Sequence, residues 1–447
     1  MRGVLPAIVI LFSMIPVAAI GTSIDSNCID EPIFEGEVCV YEANTGAEQA
    51  VVLVHGIGGS AVFDWEYLIP ILAERYHVVA LDLPGFGDSS KASRRYTPTR
   101  YAHLLRFVTE RYIKTPFSLV GHSLGGAVAL RYAALYPDGL DRMVLANAAG
   151  ILHGLALSKH LAGGWTERMG FPEAAGWVER LTGKILEEVE RLPMSPDDWM
   201  NSGPHRGEEL NGDASRVAAM ELAQEDFSAP IGMIEIPTLV IWGDSDRIAP
   251  LRTGIVLSRR MQNARLVQME NTGHASMREA PRRFNRLVSD FLEKPLTKKG
   301  REPEPITSVD SERVGRCENR SGMTFEGHYR RIELRHCKGV TIKASTVGRI
   351  SLFESRVDII DSQVLSSSTA LTAEGSYVRA TATTFRGETA IAASRSRFDL
   401  AGVSLIGKRA AVEAKRSSKF IFSVCDISSG TNKGHLHGFR NLKAESL

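Results

Sequence analysis

Two hydrophobic rhythms divide the chain. Between Ala50 and Leu292, short, mainly apolar runs alternate with stretches of helical spacing. The runs are Ala50–His55 (AVVLVH), His77–Leu83 (HVVALDL), Phe117–Val120, Met143–Ala146, Thr238–Trp242 and Ala264–Met269. Trp65–Tyr76, Tyr101–Tyr112, Gly125–Tyr136 and Pro281–Leu292 carry the helical spacing. Strands that are apolar on both faces, alternating with helices, predict a parallel sheet covered on both sides. Residues 151–232 interrupt the alternation. They are helix-like around Trp165, Trp177, Leu181, Ile185, Leu186 and Trp199, with breaks at Pro172, Pro193 and Pro204. They predict a helical insertion over the carboxyl ends of the strands, placed where it can exclude water from a pocket.

The second rhythm begins after a charged, proline-rich stretch, Lys294–Gly315, which predicts an exposed linker. Apolar residues then recur at x, x+2 and x+7: Val340/Ile342/Val347, Val357/Ile359/Val364, Val378/Ala380/Phe385, Phe398/Leu400/Leu405 and Phe420/Phe422/Ile427. A second series interleaves with the first: Ile332/Leu334, Ile350/Leu352, Leu371/Ala373, Ile391/Ala393 and Val412/Ala414. A period near twenty residues with short alternating strands predicts stacked coils, in which each coil buries its apolar edge on its neighbours. The expectation is a small parallel β-helix; an antiparallel sandwich is the alternative, and the Asn-Gly or Asp-Gly turns typical of hairpins are lacking.

The amino terminus changes the expected compartment. Met1-Arg2 precedes an uncharged apolar run, Val4–Ile20, ending in small residues, which reads as a secretory signal peptide; an uncleaved membrane anchor is the alternative, disfavoured by the short run and by Pro6 and Pro16. Export to the periplasm or medium follows, with attachment to the cell envelope left open, and cysteines are expected to oxidise there. Local spacing predicts the pairs Cys28–Cys39 and Cys317–Cys337, with Cys425 left over. The segments are therefore 1–21 signal peptide, 22–150 and 233–294 core, 151–232 helical cap, 295–316 linker and 317–447 repeat region.

The 447 residues balance 53 Lys+Arg against 52 Asp+Glu, which excludes a uniformly basic nucleic-acid binder. The balance hides an asymmetry. From Pro305 onward there are 22 Lys+Arg and 14 Asp+Glu, so the repeat region is basic and the remainder acidic. An anionic glycan, an envelope surface or the acidic remainder itself would suit the basic region. No phosphate-binding glycine loop follows any strand, and no cofactor or metal is expected. His435 and His437 share strand spacing but sit in a polar stretch, read as a solvated tail.

The chemistry lies at the ends of the first set of strands. Gly121-His122-Ser123-Leu124-Gly125 follows an apolar run and precedes an Ala-rich helix. That context exposes a serine hydroxyl on a tight turn at a helix amino end, where developing negative charge is favoured. A serine needs a base, and the base an orienting acid. Asp244 and Asp246 follow the fifth run and His274 the sixth, all at the same edge of the predicted sheet. His55 and His122 are expected to be structural neighbours of the pocket, and Asp82 and Asp88 to satisfy a glycine-rich turn.

These motifs, with His55-Gly56-Ile57-Gly58-Gly59 and Asp82-Leu83-Pro84-Gly85-Phe86-Gly87-Asp88-Ser89, resemble the α/β-hydrolase superfamily, in particular capped lipases and esterases. The resemblance covers about Ala50 to Lys294. It implies a fold class of α/β type, a mostly parallel sheet with a helical cap, joined here to the all-β repeat region. It also implies Ser123 as nucleophile, His274 as base and Asp246 as acid, with Asp244 competing, and backbone N–H groups of Ile57 and Leu124 as oxyanion hole. The implied reaction is hydrolysis of a carboxylic ester on a small-molecule or lipid acyl substrate. Carbon–carbon or thioester hydrolysis is the alternative within the fold, and an envelope- or glycan-binding protein the alternative outside enzymes.

Overall fold

The computed structural model describes residues 23–91, 95–154, 156, 213–294, 309–430 and 432–447. The expected signal peptide, most of the expected cap and the first part of the expected linker, residues 295–308, lie outside the described residues.

Eight strands build the first sheet among the described residues. β1 (Asp25–Glu31) and β2 (Gly36–Ala43) form an antiparallel edge. β3 (Ala50–Val54), β4 (His77–Leu81), β5 (Phe117–His122), β6 (Leu140–Ala146), β7 (Thr238–Gly243) and β8 (Ala264–Met269) are parallel to one another, in the order β1-β2-β4-β3-β5-β6-β7-β8. Each of the six parallel strands follows one of the apolar runs. β3, β4, β5 and β7 are buried along their whole length, because helices cover both faces. The antiparallel edge was not expected from the sequence. Its half-exposed strands lack a continuous apolar run, and Cys28 faces Cys39 in register, where the two form a disulfide.

The helices are α1 (Ala61–Trp65), α2 (Ile69–Leu72), α3 (Pro98–Tyr112), α4 (Leu124–Leu135), α5 (Ala214–Gln224), α6 (Ser228–Met233), α7 (Leu251–Arg260), α8 (Ser276–Glu279) and α9 (Pro281–Glu293). The stretch expected to be one helix over Trp65–Tyr76 is instead split between α1 and α2. Two turns of local chemistry explain typical starts and faces. Thr97 caps α3 by accepting from the Arg100 N–H, and Pro98 fills the first turn, where its missing N–H costs nothing. α9 buries Phe284, Val288 and Leu292, four residues apart, and leaves its arginines outside.

The second sheet is all strand. One ladder runs through β9 (Val314–Glu318), β11 (Arg331–Arg335), β13 (Ile350–Phe353), β16 (Thr369–Glu374), β18 (Thr384–Ser394) and β20 (Ser404–Ala414). A second runs through β10 (Thr324–Tyr329), β12 (Val340–Val347), β14 (Arg356–Ile360), β17 (Tyr377–Thr381), β19 (Arg397–Ala401) and β21 (Ser418–Ser429), which meets β20. β15 (Gln363–Leu365) bridges β12 and β18, and β22 (Asn432–Leu442) pairs with β21. Apart from β21 with β22, all pairings are parallel, which gives a barrel-like closed sheet. The apolar series read from the sequence are its registers. Val340 pairs with Val357, Val357 with Val378, Val378 with Phe398, and Phe398 with Phe420. Ile332 likewise pairs with Ile350, Ile350 with Leu371, Leu371 with Ile391, and Ile391 with Val412. All of these side chains are buried, and the Phe398 and Phe420 rings stack with centroids 4.5 Å apart. The Cys317–Cys337 disulfide ties the first coils, and Cys425 is a buried free thiol.

Two expectations for this region need correction. The first concerns His435 and His437, which are not in a solvated tail. They lie in β22, whose backbone is paired to β21; His435 Nδ1 is 2.8 Å from Asp426 Oδ1, and the His437 side chain is nearly buried against the His153 ring. Among the described residues, no three His, Cys, Asp or Glu side chains come together in a way that could hold a metal ion.

The second concerns the polarity of the contact between the two sheets, which is the reverse of their net charges. The acidic half supplies arginines from α7 and the basic half supplies aspartates. Arg252 Nη1 bonds Asp399 Oδ2 at 2.8 Å, Arg259 Nη2 bonds Asp361 at 2.5 Å, and Arg260 Nη2 bonds Asp426 Oδ1 at 2.7 Å. Ala401, Ile421 and Val424 join the buried cluster that contains Val256 and Leu257 of α7. A surplus of eight positive charges says nothing about where individual carboxylates sit.

Candidate functional site

Ser123 stands between β5 and α4 with φ +51° and ψ −113°, a left-handed conformation rarely taken by residues other than glycine. Such a backbone costs about 1–3 kcal/mol and persists only where its surroundings fix it. Here they do. The Ser123 N–H donates to the Ala146 carbonyl at 3.0 Å, and its carbonyl accepts from Gly126 and Ala149. The flanking glycines are required by space. A Cβ on Gly125 would lie 2.1 Å from the Val54 carbonyl oxygen, and one on Gly121 2.3 Å from that of Gly125. The turn therefore lifts the hydroxyl above the sheet edge.

His274 reaches the same point from the loop after β8. Its Nε2 is 2.9 Å from Ser123 Oγ, and its Nδ1 is 2.9 Å from Asp246 Oδ2. The loop is pinned by Glu279, which accepts from the Gly273 and Ala275 N–H groups. Asp246 is buried in the loop after β7. Its Oδ1 accepts from the Ile248 and Ala249 N–H groups at 2.8 and 2.9 Å, and its Oδ2 accepts from Asn147 Nδ2 at 2.7 Å. Asp244, the competing candidate, is exposed and accepts from the neighbouring Ser245 hydroxyl. The structure thus brings Ser123, His274 and Asp246 together and leaves Asp244 apart.

Burial opposes charge on both partners of the His274–Asp246 pair, yet each is held charged more firmly than usual. For His274, burial is outweighed by the Asp246 charge and hydrogen bond, with smaller help from Asp64 and Glu279, so its pKa is raised. For Asp246, burial is outweighed by His274, Asn147 and the Ala249 N–H, so its pKa is lowered.

The expected oxyanion donors flank the serine. Leu124 is the first residue of α4, where N–H groups have no acceptor inside the helix. Ile57 follows Gly56 in a turn closed by a Gly59 N–H to Gly56 carbonyl bond of 3.3 Å. That turn abuts the serine, since a Cβ on Gly56 would come 3.0 Å from Ser123 Cβ. The neighbouring motif residues have structural partners. His55 Nε2 accepts from the Leu83 N–H and its Nδ1 donates to the Gly56 carbonyl; burial lowers its pKa, which suits the neutral ring these bonds require. Asp82 accepts from the Ala61 and Asp88 N–H groups, and Tyr41 donates to both Asp82 and Asp88.

Sequence reasoning missed two residues. Asp64, at the start of the helical stretch after β3, accepts from the Gly56 N–H and from His122 Nδ1, each at 2.9 Å. Burial opposes its charge, but the hydrogen bond and charge of His122 outweigh it and lower its pKa. Asn147 orients Asp246 and is itself held by the Ser276 hydroxyl at 2.9 Å. Neither lies in a recognisable motif. The only hint was position, one turn after the β3 loop for Asp64 and one residue past β6 for Asn147.

Chemically, a hydroxyl hydrogen-bonded to an imidazole, which is bonded in turn to a buried carboxylate, can be deprotonated as it attacks an electrophilic carbon. The chain is similar to known proteins over part of its length. The chain is 27% identical over 279 residues to a 2-hydroxy-6-oxo-6-(2'-aminophenyl)hexa-2,4-dienoic acid hydrolase of Metapseudomonas resinovorans, covering 60% of this chain and 92% of the relative. It is 28% identical over 249 residues to Lipase 1 of Psychrobacter immobilis, covering 55% and 77%. Among solved structures, the alpha/beta hydrolase MGS-M2 from a Medee basin deep-sea metagenome library is 25% identical, with a TM-score of 0.47 over 61% of this chain and all of that one. Residues 49–281, just over half of the chain, match the family model described as alpha/beta hydrolase fold, and the chain belongs to that family.

Proposed function

We propose that the protein is an exported serine hydrolase that cleaves a carboxylic ester. The observation that carries this reading is the continuous chain from Ser123 Oγ to His274 Nε2 and from His274 Nδ1 to Asp246 Oδ2, with both links at 2.9 Å. In this mechanism His274 takes the proton of Ser123 as its oxygen attacks the acyl carbon. Asp246 stabilises the imidazolium that results. The Ile57 and Leu124 N–H groups receive the oxyanion, each contributing about 3 kcal/mol. The imidazolium then protonates the leaving alkoxide, and water, deprotonated by the same imidazole, hydrolyses the acyl-enzyme. The test is Ser123→Ala assayed on a short-chain p-nitrophenyl ester. The reading requires a fall in kcat of at least about 10³-fold; unchanged turnover refutes it.

Carbon–carbon bond hydrolysis is the second reading, favoured by the name of the Metapseudomonas relative, a dienoic acid hydrolase. Lipase 1 supports the ester reading equally. A panel pairing esters with vinylogous diketones separates them by which class is turned over.

The same proposal assigns the C-terminal region as a parallel β-helix, supported by inward residues that pair at offsets of 17 to 22 positions. Cleavage of a signal peptide near residue 21 is part of it and is read from the mass of the exported chain. Attachment to an anionic glycan or envelope surface rests on charge alone. Binding that survives added salt removes that element.

A further inference from the structure

The outward face of β14, β17 and β19 looks onto the hydrolase half. In register, Arg356 neighbours Tyr377 and Tyr377 neighbours Arg397; two positions on, Asp358 neighbours Arg379 and Arg379 neighbours Asp399. Adjacent strands are about 4.8 Å apart, so the backbones of Arg356 and Arg397 stand about 10 Å apart across Tyr377. This face forms one wall of a cleft of roughly 690 Å³. The opposite wall holds Asp246, Pro250 and Arg252, from the loop that carries the proposed acid and from the start of α7.

The charges along the cleft do not cancel. Arg252 is committed to Asp399, and Arg379 to Asp358 at 2.9 and 2.5 Å. Asp246 is turned to His274. The Arg356 guanidinium lies 5.0 Å over the Tyr377 ring and, like that of Arg397, forms no ion pair or side-chain hydrogen bond among the described residues. Asp244, exposed and bonded to Ser245, is the one lining carboxylate without a cationic partner among the described residues. Two uncommitted guanidinium groups, one of them braced on an aromatic ring, therefore face a concave space beside the site. Guanidinium forks match planar carboxylate and tetrahedral phosphate oxygens in pairs, and bracing reduces the entropy lost on binding.

We propose that this cleft binds an anionic group, carboxylate or phosphate, between Arg356 and Arg397. The C-terminal region would then be part of ligand recognition and not solely a scaffold. The anion has two sources: the acidic end of the ester substrate, which rests on the hydrolase reading, or a free anion, which does not.

The experiment uses the full chain and the exposed-face variant Arg356→Gln/Arg397→Gln, with Arg416→Gln as a control for loss of positive charge away from the cleft. Dissociation constants for succinate and inorganic phosphate are measured by calorimetry at low ionic strength. The ratio of kcat/KM for p-nitrophenyl hemisuccinate over p-nitrophenyl acetate is measured in parallel. The expected result is that the unaltered chain binds at least one anion and the double variant binds it about 10- to 100-fold more weakly, while Arg416→Gln does not change. A matching fall in the hemisuccinate preference assigns the anion to the substrate; weaker binding with an unchanged preference assigns it to a free ligand. Anion binding without turnover of either ester leaves the cleft standing and removes the ester reading. No anion binding by the unaltered chain together with no hemisuccinate preference, or identical behaviour of the double variant, overturns the proposal.

Discussion

The ring of His122 is set against the backbone of His274, with Nε2 standing 3.1 Å from the His274 carbonyl oxygen. On its other side Nδ1 bonds Asp64, which also takes the Gly56 N–H. Asp64 and His122 thus join the turn that presents Ile57 to the loop that presents His274. Misplacing reacting groups by about 1 Å costs on the order of 10²-fold. Asp64→Asn is therefore expected to lower kcat about 10- to 100-fold with little change in KM. A purely structural role would leave the pH profile in place. Removing the Asp64 charge, one of those that raise the His274 pKa, should instead move the acid limb of kcat/KM to lower pH. An unmoved limb with normal kcat contradicts this bridge.

Asp246→Asn tests the pair directly. His274 must be neutral to accept the serine proton, and its pKa is raised above the ordinary 6.5. Under the proposed mechanism, activity is therefore expected above that raised pKa and is expected to be lost as pH falls through it. Without the carboxylate the imidazolium loses its main support, so the limb shifts down. The rate on the plateau should fall about 10⁴-fold, since the ring is no longer held in the right tautomer. A limb that stays put in the variant places the titrating group elsewhere.

Much of this was legible in the chain, for physical reasons that differ from residue to residue. The parallel strands could be read because burial on both faces demands unbroken apolar runs, as in Val51–Val54. The coil registers could be read because each Val, Ile or Phe must meet its counterpart one coil away. Ser123, Asp246 and His274 could be read because tight turns at strand ends restrict their neighbours to glycine and other particular residues. Asp64 and Asn147 could not be read, because a single hydrogen-bonding side chain in a loop has no periodicity. The ion pairs between the two halves could not be read, because net charge averages over positions, whereas Arg252 and Asp399 meet one to one.

That pair also sets a stability prediction. Both members are nearly buried, with side chains 13% and 3% exposed. Arg252→Ala leaves Asp399 buried without its bonded cation, with only Arg379 nearby and that one bonded to Asp358, which costs up to about 3–5 kcal/mol. Replacing both, as Arg252→Met with Asp399→Leu, should restore most of that loss. Denaturant unfolding checks the pair. A single variant as stable as the parent means that the two halves do not depend on this contact.

The cysteines predict a simple titration. Burial pushes the Cys425 thiol pKa up to about 12. The native chain should give no reaction with Ellman's reagent at pH 8, and one thiol per chain in guanidinium without reductant. More than one thiol under those conditions contradicts the Cys28–Cys39 and Cys317–Cys337 bridges.

The most direct measurement of the central claim is the intact mass and peptide map of the full chain after treatment with an aryl phosphonate ester. Attack by an activated serine should leave one phosphonyl group per chain, on the peptide containing Ser123, and none on the Ser123→Ala or His274→Ala chains. An unlabelled parent chain, or a label on another residue that persists in Ser123→Ala, contradicts the assignment of Ser123 as the nucleophile.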